Sequence, residues 1–551
     1  MIAESVLGWK SDSRIAPLIV FAFALLLFSI NLDRPPDPDE LHHVLAAQHL
    51  IETGRPILAE GEYGRGILHT WMVALSYEAF GESLPSARIP SVLLAALTAL
   101  ILFLWVRREA GSLAAWVTAL LFISSPFTVE IAQFSRFYAL QMFSFVLGSM
   151  CFYYTLEAPA SLPRRLLLGS LASGLLVLAI SAQITTFVGL VGIAAWTVGV
   201  LAQRAFSYPV TSGTARKLLV AMLVLAGVLA TVAATVPDAF DWAWERYREI
   251  PLFNVGHRNE FWFYHLRFLL LYPTLWSLVG VVAVFAIIRN PRFAWYAISV
   301  FGISFLLMSF AATKATRYLS FASPFLAIVW GLGLACVAPP LQRYAEATRT
   351  RIVETLALPQ RFGSMVGTGV TVVVLATVVL INPFWLRTAT VIAGIDLPTE
   401  TPTENWRAAR EALASWVADA DIMITTEELG AIYFLGRADV AYNPSKFQEL
   451  PPDRKFEFGI DPRTGRPVIS KPESLERLID CFQRGFVVGP IREWRSPIGI
   501  TEEAEAVLLR RATPIEVPEN SNLFAWGWAH EPRDKRPGEC AELNRFSGLA
   551  R

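Results

Sequence analysis

The chain is 551 residues long, 54% hydrophobic and only 17% charged, with a mean hydropathy of +0.45. Soluble domains carry about 25% charged residues, so this composition excludes a water-soluble globule of such a size. Lys+Arg and Asp+Glu balance at 47 each, which offers no electrostatic footing for a nucleic-acid partner.

A helix needs ~20 apolar residues to cross a bilayer. Runs of this kind fall at Ile15–Leu32, Ile89–Val106, Leu113–Phe127, Tyr138–Leu156, Leu166–Ala182, Thr186–Ala202 and Leu218–Val236. Phe268–Ile288, Phe293–Ala311, Leu319–Val337 and Met365–Trp385 complete a set of about eleven. The first run ends at Leu32-Asp33 without a small-residue cleavage site, so it reads as a span and not as a signal peptide. Ile67–Phe80 is too short and reads as an interfacial helix. With that segment left out, Lys10/Arg14, Arg107/Arg108, Arg164/Arg165, Arg204/Arg216/Lys217, Arg289/Arg292 and the stretch from Arg343 to Arg361 all fall on one side. Basic loops mark the cytoplasm, which puts the N-terminus inside and the C-terminal part outside. No expected span carries a charge at its middle, unlike the usual transporter.

The first outer loop opens with Asp37-Pro38-Asp39-Glu40-Leu41-His42-His43. Leu41, Val44, Leu45 and Ile51 recur at helical spacing, which predicts a helix from about Glu40 to Thr53 lying flat on the membrane, with His42 and His49 on its other face. Asp37 suits a helix cap with Pro38 at the first helical position and Glu40 reaching back. Capping leaves Asp39 unexplained, and a third carboxylate where a helix meets lipid calls for a functional reason. Asp39 and His43, four apart, could share a metal, but no metalloprotease motif is present.

Asp39-Glu40-Leu41-His42, a flat helix ending near Gly54, a second at Ile67–Phe80, and then Gly81-Glu82-Ser83 and Ala87-Arg88-Ile89-Pro90-Ser91 together resemble the GT-C class of membrane glycosyltransferases. Within that class the likeness is to the protein O-mannosyltransferase and lipid A aminoarabinose transferase-like superfamily. Ser125-Pro126 to Arg136-Phe137-Tyr138 resembles its second outer loop, where Glu130 is the candidate acid. Lys314-Ala315-Thr316-Arg317-Tyr318-Leu319 with Pro324 resembles its Lys…Arg-Tyr-Leu…Pro element. The resemblance covers roughly residues 15–340.

It implies a polyprenyl-phosphate sugar donor, an extracytoplasmic glycolipid, polysaccharide or protein acceptor, and inversion at the anomeric carbon. Asp39 is then the candidate base, with Glu40 and Glu130 the other candidate acids. Lys314 and Arg317 stand ready for the departing phosphate, although basic residues at an interface also snorkel. Arg136, Tyr138, Tyr318, His42 and His43 are candidate substrate contacts. Beside Asp39 and Glu40 a divalent ion, Mg or Mn, is possible, without a complete ligand set in view. The aromatic stretch Asp238–Arg267, with Trp242, Trp244, Arg246, Arg248, His257, Arg258 and Trp262, serves sugar stacking or interfacial anchoring equally well.

From Thr401 the sequence turns polar. Helices are expected at Asn405–Val417, Glu427–Leu435, Glu473–Phe482 and Thr501–Arg510, and strands at Ile422–Thr425, Gly485–Gly489 and near the end. Pro451–Pro472 reads as a long loop. The fold expected is thus a polytopic α-helical membrane module over residues 1–390 and a soluble C-terminal α/β domain over 400–551. Cys481 and Cys540 would pair if that domain meets an oxidising compartment. A transporter and a non-catalytic envelope-polymer assembly protein are the competing functions.

Overall fold

The computed structural model describes residues 15–157, 161–207, 261–311, 314–356, 363–395, 404–454 and 457–530. The expected Leu218–Val236 span, Trp242, Trp244, Arg246, Arg248, His257 and Arg258, and one partner of the Cys481–Cys540 pair lie outside the described residues. The chain divides into two compact units. One comprises Met1–Ile30, Val92–Ala132 and Phe137–Val391; the other gathers Asn31–Ser91, Gln133–Arg136 and Ile392–Arg551.

The first unit is helical. Among the described residues six helices are long and apolar enough to cross a membrane: Leu84–Ala110, Tyr138–Glu157, Leu162–Ala182, Thr186–Arg204, Pro291–Phe310 and Ser323–Ala345. The protein is therefore an integral membrane protein. The number rises to eight if each of two bent pairs counts as one span. Shorter apolar helices occupy Ile15–Phe28 and Val279–Arg289.

Three segments expected to be continuous are broken. Leu113–Phe127 lies across Ser112–Ile123 and Pro126–Ala132, which meet at 62°. Met365–Trp385 runs through the 61° bend between Val372–Leu380 and Phe384–Ala393. Phe268–Ile288 falls into Phe263–Leu271, Pro273–Ser277 and Val279–Arg289. Each break carries a proline, Pro126, Pro383 or Pro273, whose ring and missing N–H stop a helix from continuing. The freed backbone groups find side-chain partners, as hydrocarbon surroundings demand. Asn382 Oδ1 accepts from the Thr274 and Leu275 amides at 3.0 and 3.3 Å. Thr388 Oγ1 donates to the Ser124 carbonyl at 2.6 Å, and the Ser125 and Tyr272 hydroxyls lie 2.8 Å apart. The three elbows are thus bonded to one another.

Helix ends sort by charge within this unit. Glu157, closing Tyr138–Glu157, pairs with Arg204 at 2.8 Å and Arg292 at 3.1 Å. Arg289 Nη2 donates to the Ala110 carbonyl at 2.8 Å. Five helix termini from the expected basic loops therefore meet at one end. Lys314 and Arg317 follow the far end of Pro291–Phe310, a 20-residue helix about 30 Å long.

In the second unit a mixed seven-stranded sheet has the order β5-β6-β4-β3-β7-β9-β8. Its strands are β3 (Ile422–Thr425), β4 (Val440–Tyr442), β5 (Gly459–Ile460), β6 (Pro467–Ile469), β7 (Arg484–Pro490), β8 (Thr513–Pro514) and β9 (Leu523–Ala529). β6, β4, β3 and β7 pair in parallel, and the outer strands are antiparallel. Strands buried on both faces read as apolar runs, and β3 and β4 are fully buried. The helices Pro472–Cys481 and Glu502–Arg511 supply Leu475, Leu478, Val507 and Leu508 to one core. Trp406–Asp419 supplies Trp406, Ala409 and Leu413 to another, with Met423, Phe486 and Val488. Caps set the helix starts: Asn405, Glu427 and Thr501 each accept from amides in the first turn. The expected elements stand within a residue or two of these positions. The exception is Pro451–Pro472, which is not one loop but holds the β5–β6 hairpin, because Gly459–Ile460 and Pro467–Ile469 flank a tight turn.

A two-stranded ribbon, β1 (Ile57–Leu58) with β2 (Gly61–Glu62), links the helices Pro38–Thr53 and Ile67–Phe80 of the same unit. A methyl at Gly61 would lie 2.2 Å from the Arg463 carbonyl oxygen, and one at Gly465 (φ +70°) 2.5 Å from Glu60 Cβ. Glu60 N–H donates to the Thr464 carbonyl at 2.9 Å. The ribbon and the β5–β6 turn therefore meet backbone to backbone. Gly61→Ala is expected to destabilise the detergent-solubilised protein by about 1–3 kcal/mol through overpacking. Gly64→Ala, with nothing within 4 Å, serves as the control. Equal melting temperatures for the two variants would show that the close approach has no energetic weight.

Candidate active site

The helix Pro38–Thr53 begins with the expected capping box. Asp37 Oδ1 accepts from the Asp39 amide at 2.8 Å, and Glu40 Oε1 accepts from the Asp37 amide at 3.1 Å. Glu40 does more than cap. Arg88 donates through Nε to Oε2 at 2.8 Å and through Nη2 to Oε1 at 2.7 Å. The Ser135 amide adds a bond to Oε2 at 3.0 Å. Arg88 Nη1 donates to the Leu32 and Arg34 carbonyls at 2.7 and 3.0 Å. Arg88 and Glu40 are 0% and 1% exposed at their side chains. Burial pushes the Glu40 carboxyl up, but Arg88 and the hydrogen bonds outweigh it and hold the group below the ordinary carboxylate range. Both Glu40 oxygens are committed to this latch.

Asp39 is different. Its carboxylate pairs with Arg136 Nη1, which also donates to the Asp39 backbone carbonyl at 3.0 Å, and its side chain keeps 29% exposure. One face of the pair is therefore open to an incoming molecule. Arg136 itself is 7% exposed, held on the short Gln133–Arg136 segment by Ser135 Oγ, which donates to the Ala87 carbonyl at 2.8 Å.

Three histidines and a tyrosine form the floor. His42 Nδ1 lies 3.3 Å from the Asp39 carbonyl, and His43 Nδ1 lies 2.9 Å from Thr70 Oγ1. The Tyr63 ring sits 5.2 Å from both imidazoles, and His43 meets His69 edge to face at 4.9 Å. His69 and Tyr63 were not anticipated; a lone His and a lone Tyr in sequence carry no pattern. Burial, then Arg136 and Arg463, push His42 down to about 3. Burial, then Arg136, bring His69 to about 3, and His43 is also held well below its usual value, by burial and by His69. All three are neutral at physiological pH. A lowered folded value means that the unfolded chain takes up protons first as pH falls. The melting temperature is therefore expected to hold above about pH 6.5 and to fall progressively as pH drops from there towards 3. A flat melting profile across that window would contradict the neutral cluster.

The first unit assembles the remaining candidates at one end. The Pro126–Ala132 helix, bearing Glu130, packs against the 3-10 turn Thr316–Leu319, bearing Arg317 and Tyr318. Glu130 pairs with Arg387 at 3.2 Å and its side chain is 38% exposed. Lys314 is buried and donates through Nζ to the Ala311 carbonyl. Tyr138 is 2% exposed, with its ring 4.9 Å from Phe137. Among the described residues no group of three or more His, Cys, Asp or Glu side chains could hold a metal ion. At the position considered for a divalent ion, Glu40 pairs with Arg88 and Asp39 with Arg136.

No family model matches the chain. Over 343 residues it is 24% identical to the undecaprenyl phosphate-alpha-4-amino-4-deoxy-L-arabinose arabinosyl transferase of Shewanella sediminis, a match covering 59% of this chain and 60% of that protein. The matched region thus spans less than two thirds of the relative. ArnT from Cupriavidus metallidurans, solved with undecaprenyl phosphate, superposes with a TM-score of 0.58 at 14% identity, over 95% of this chain and 100% of that one. The oligosaccharyltransferase AglB from Archaeoglobus fulgidus, solved with an inhibitory peptide and a dolichol-phosphate, superposes with a TM-score of 0.52 at 13% identity, over 87% and 70%. The chain therefore has the GT-C fold that its motifs resemble.

Proposed function

We propose that this protein transfers a sugar from a polyprenyl-phosphate donor to an extracytoplasmic acceptor, with inversion at the anomeric carbon. The observation that carries this reading is Asp39: a carboxylate at a helix start, partly open, braced by Arg136 and set beside imidazoles that cannot compete as bases. The names of the relatives point the same way, since the curated one is an arabinosyl transferase and ArnT was solved with undecaprenyl phosphate.

Asp39 takes the proton from the acceptor oxygen as that oxygen attacks the anomeric carbon. The bond to the lipid phosphate breaks on the opposite face, and the phosphate leaves as an anion. Lys314 and Arg317 are assigned to that anion, with Tyr318 and Glu130 lining the same end. Arg136 orients Asp39, Tyr138 is assigned to substrate contact, and His42 and His43 line the acceptor side as neutral donors or acceptors. Glu40 is assigned to holding the helix start through Arg88.

In this reading about eleven spans cross a bacterial inner membrane with the N-terminus cytoplasmic. The sheet-bearing C-terminal region, residues 400–551, is a soluble extracytoplasmic α/β domain, and residues 1–390 form the membrane module. Clustering of Arg204, Arg289 and Arg292 at one end of the helices supports this orientation. The test is a proteoliposome assay with polyprenyl-phosphate sugars and an envelope extract as acceptor, following release of free polyprenyl phosphate. Donor turnover that needs the extract supports transfer. If no donor among the common sugars is consumed while the protein remains folded, the enzyme reading fails.

A further inference from the structure

The acceptor is the unnamed party in this reaction, and the second unit contains a cation that the reaction as described does not use. The β5–β6 turn runs Asp461-Pro462-Arg463-Thr464-Gly465-Arg466. Asp461, 1% exposed, accepts from the Arg463 amide at 2.9 Å, and the Gly465 amide donates to the Asp461 carbonyl at 2.7 Å. Lys446 pairs with both Asp461 and Glu428 and anchors the turn to the sheet. Gly61 and Gly465 let the turn press onto the first-loop ribbon, and Arg466 pairs with Glu60 at 3.5 Å. This seating brings Arg463 Nη1 to 3.5 Å from His42 Nε2.

Asp461 spans one edge of Arg463, 3.4 Å from its Nε and 3.5 Å from its Nη2, while the side chain stays 50% exposed. Its inner neighbour is the neutral His42, which offers no charge. Asp461 already serves Lys446, and Asp39 serves Arg136. Arg65 adds a further positive field at Tyr63 and His43. A guanidinium with one edge fixed by Asp461, its Nη1 beside a neutral imidazole and half of its side chain exposed suits a planar or tetrahedral anion.

We propose that Arg463 is a substrate-binding residue that selects an acceptor carrying an anionic group, a carboxylate or a phosphate, near the attacking oxygen. The proposal rests on the transferase reading for the word acceptor, but the anion site is measurable without catalysis. The C-terminal sheet then acts as a specificity element, since its hairpin reaches into the same cluster as Asp39.

The experiment measures binding of glucuronate, glucosamine 1-phosphate and glucose to the full-length protein in detergent by calorimetry, for the native chain, Arg463→Gln and Arg463→Lys. The native chain is expected to bind both charged sugars, or one of them, about ten- to hundred-fold more tightly than glucose. The arm that prevails tells carboxylate from phosphate. Arg463→Gln is expected to erase the preference and Arg463→Lys to restore part of it, with melting temperatures confirming that both variants fold. A second set with Lys314→Gln and Arg317→Gln is expected to keep the preference, which separates this site from the donor phosphate. Equal affinity for glucose, no binding of either anion, or a preference that survives Arg463→Gln overturns the proposal. If the preference is present but donor turnover is absent, the transferase reading fails and the anion site stands.

Discussion

Replacing Asp39 by Asn is expected to lower kcat for sugar transfer by about 10²–10⁴-fold, the range typical for loss of a positioned base. The amide keeps the shape of the carboxylate, and the backbone carbonyl of residue 39 still holds Arg136 at 3.0 Å. The fold is therefore expected to survive, and KM for the donor to change little. Loss of the charge leaves Arg136, 7% exposed, with less compensation, so a modest drop in melting temperature is expected alongside. The pH dependence should set the base apart from its neighbours. His42 and His69 titrate near 3 in the folded protein, so neither supplies an inflection near 6.5. If Asp39→Asn turns over at the native rate, the base lies elsewhere, and Glu130 becomes the residue to replace next.

The second large effect concerns stability. Arg88→Met would leave the Glu40 carboxylate, 1% exposed, with two backbone amides and the field of Arg34 but no paired cation. Breaking one side of a buried ion pair costs about 3–5 kcal/mol, a large share of what a typical fold has to spare. Folded Arg88→Met protein is therefore expected to be scarce. The double variant Arg88→Met with Glu40→Leu removes both charges and is expected to regain much of the loss. Thermal melts in detergent decide the matter; a double variant no better than the single would show that the arginine acts through the Leu32 and Arg34 carbonyls instead. Acid should weaken the latch as well. The Glu40 carboxyl is held below its ordinary value, so its contribution is present above about pH 4.5 and is lost as pH falls through the depressed value.

The sequence made some of this legible and hid the rest for a physical reason. The capping box at Asp37–Glu40 is a four-residue pattern and could be read directly. The same holds for the 14-residue helix Ile67–Phe80, whose bounds an apolar run marks in the sequence. The prolines at 126, 273 and 383 were equally visible, yet hydropathy averages over a window and smooths an elbow into a span. What could not be read is anything that depends on distance along the chain. Glu40 meets Arg88 48 residues on and Ser135 95 residues on. Arg463 reaches His42 across 421 residues, from a stretch that reads as a featureless loop. A carboxylate's role depends on who neutralises it, so Asp39 and Glu40 look alike in sequence and differ in the fold.

The apolar cluster that joins the two ends of the second unit also has a temporal side. Leu41, Val44, Val73 and Tyr77 from the first loop share one core with Leu429, and Ile432 and Phe434 pack against it. A ribosome delivers the first group roughly 350–390 residues before the second. At about 5–20 residues per second the first group waits for something between about 18 and 80 seconds. During that interval the side that Leu429, Ile432 and Phe434 cover is bare. Biogenesis thus includes a long pause with this core incompletely covered, and chains that stop short of residue 429 should be clients for chaperones and proteases.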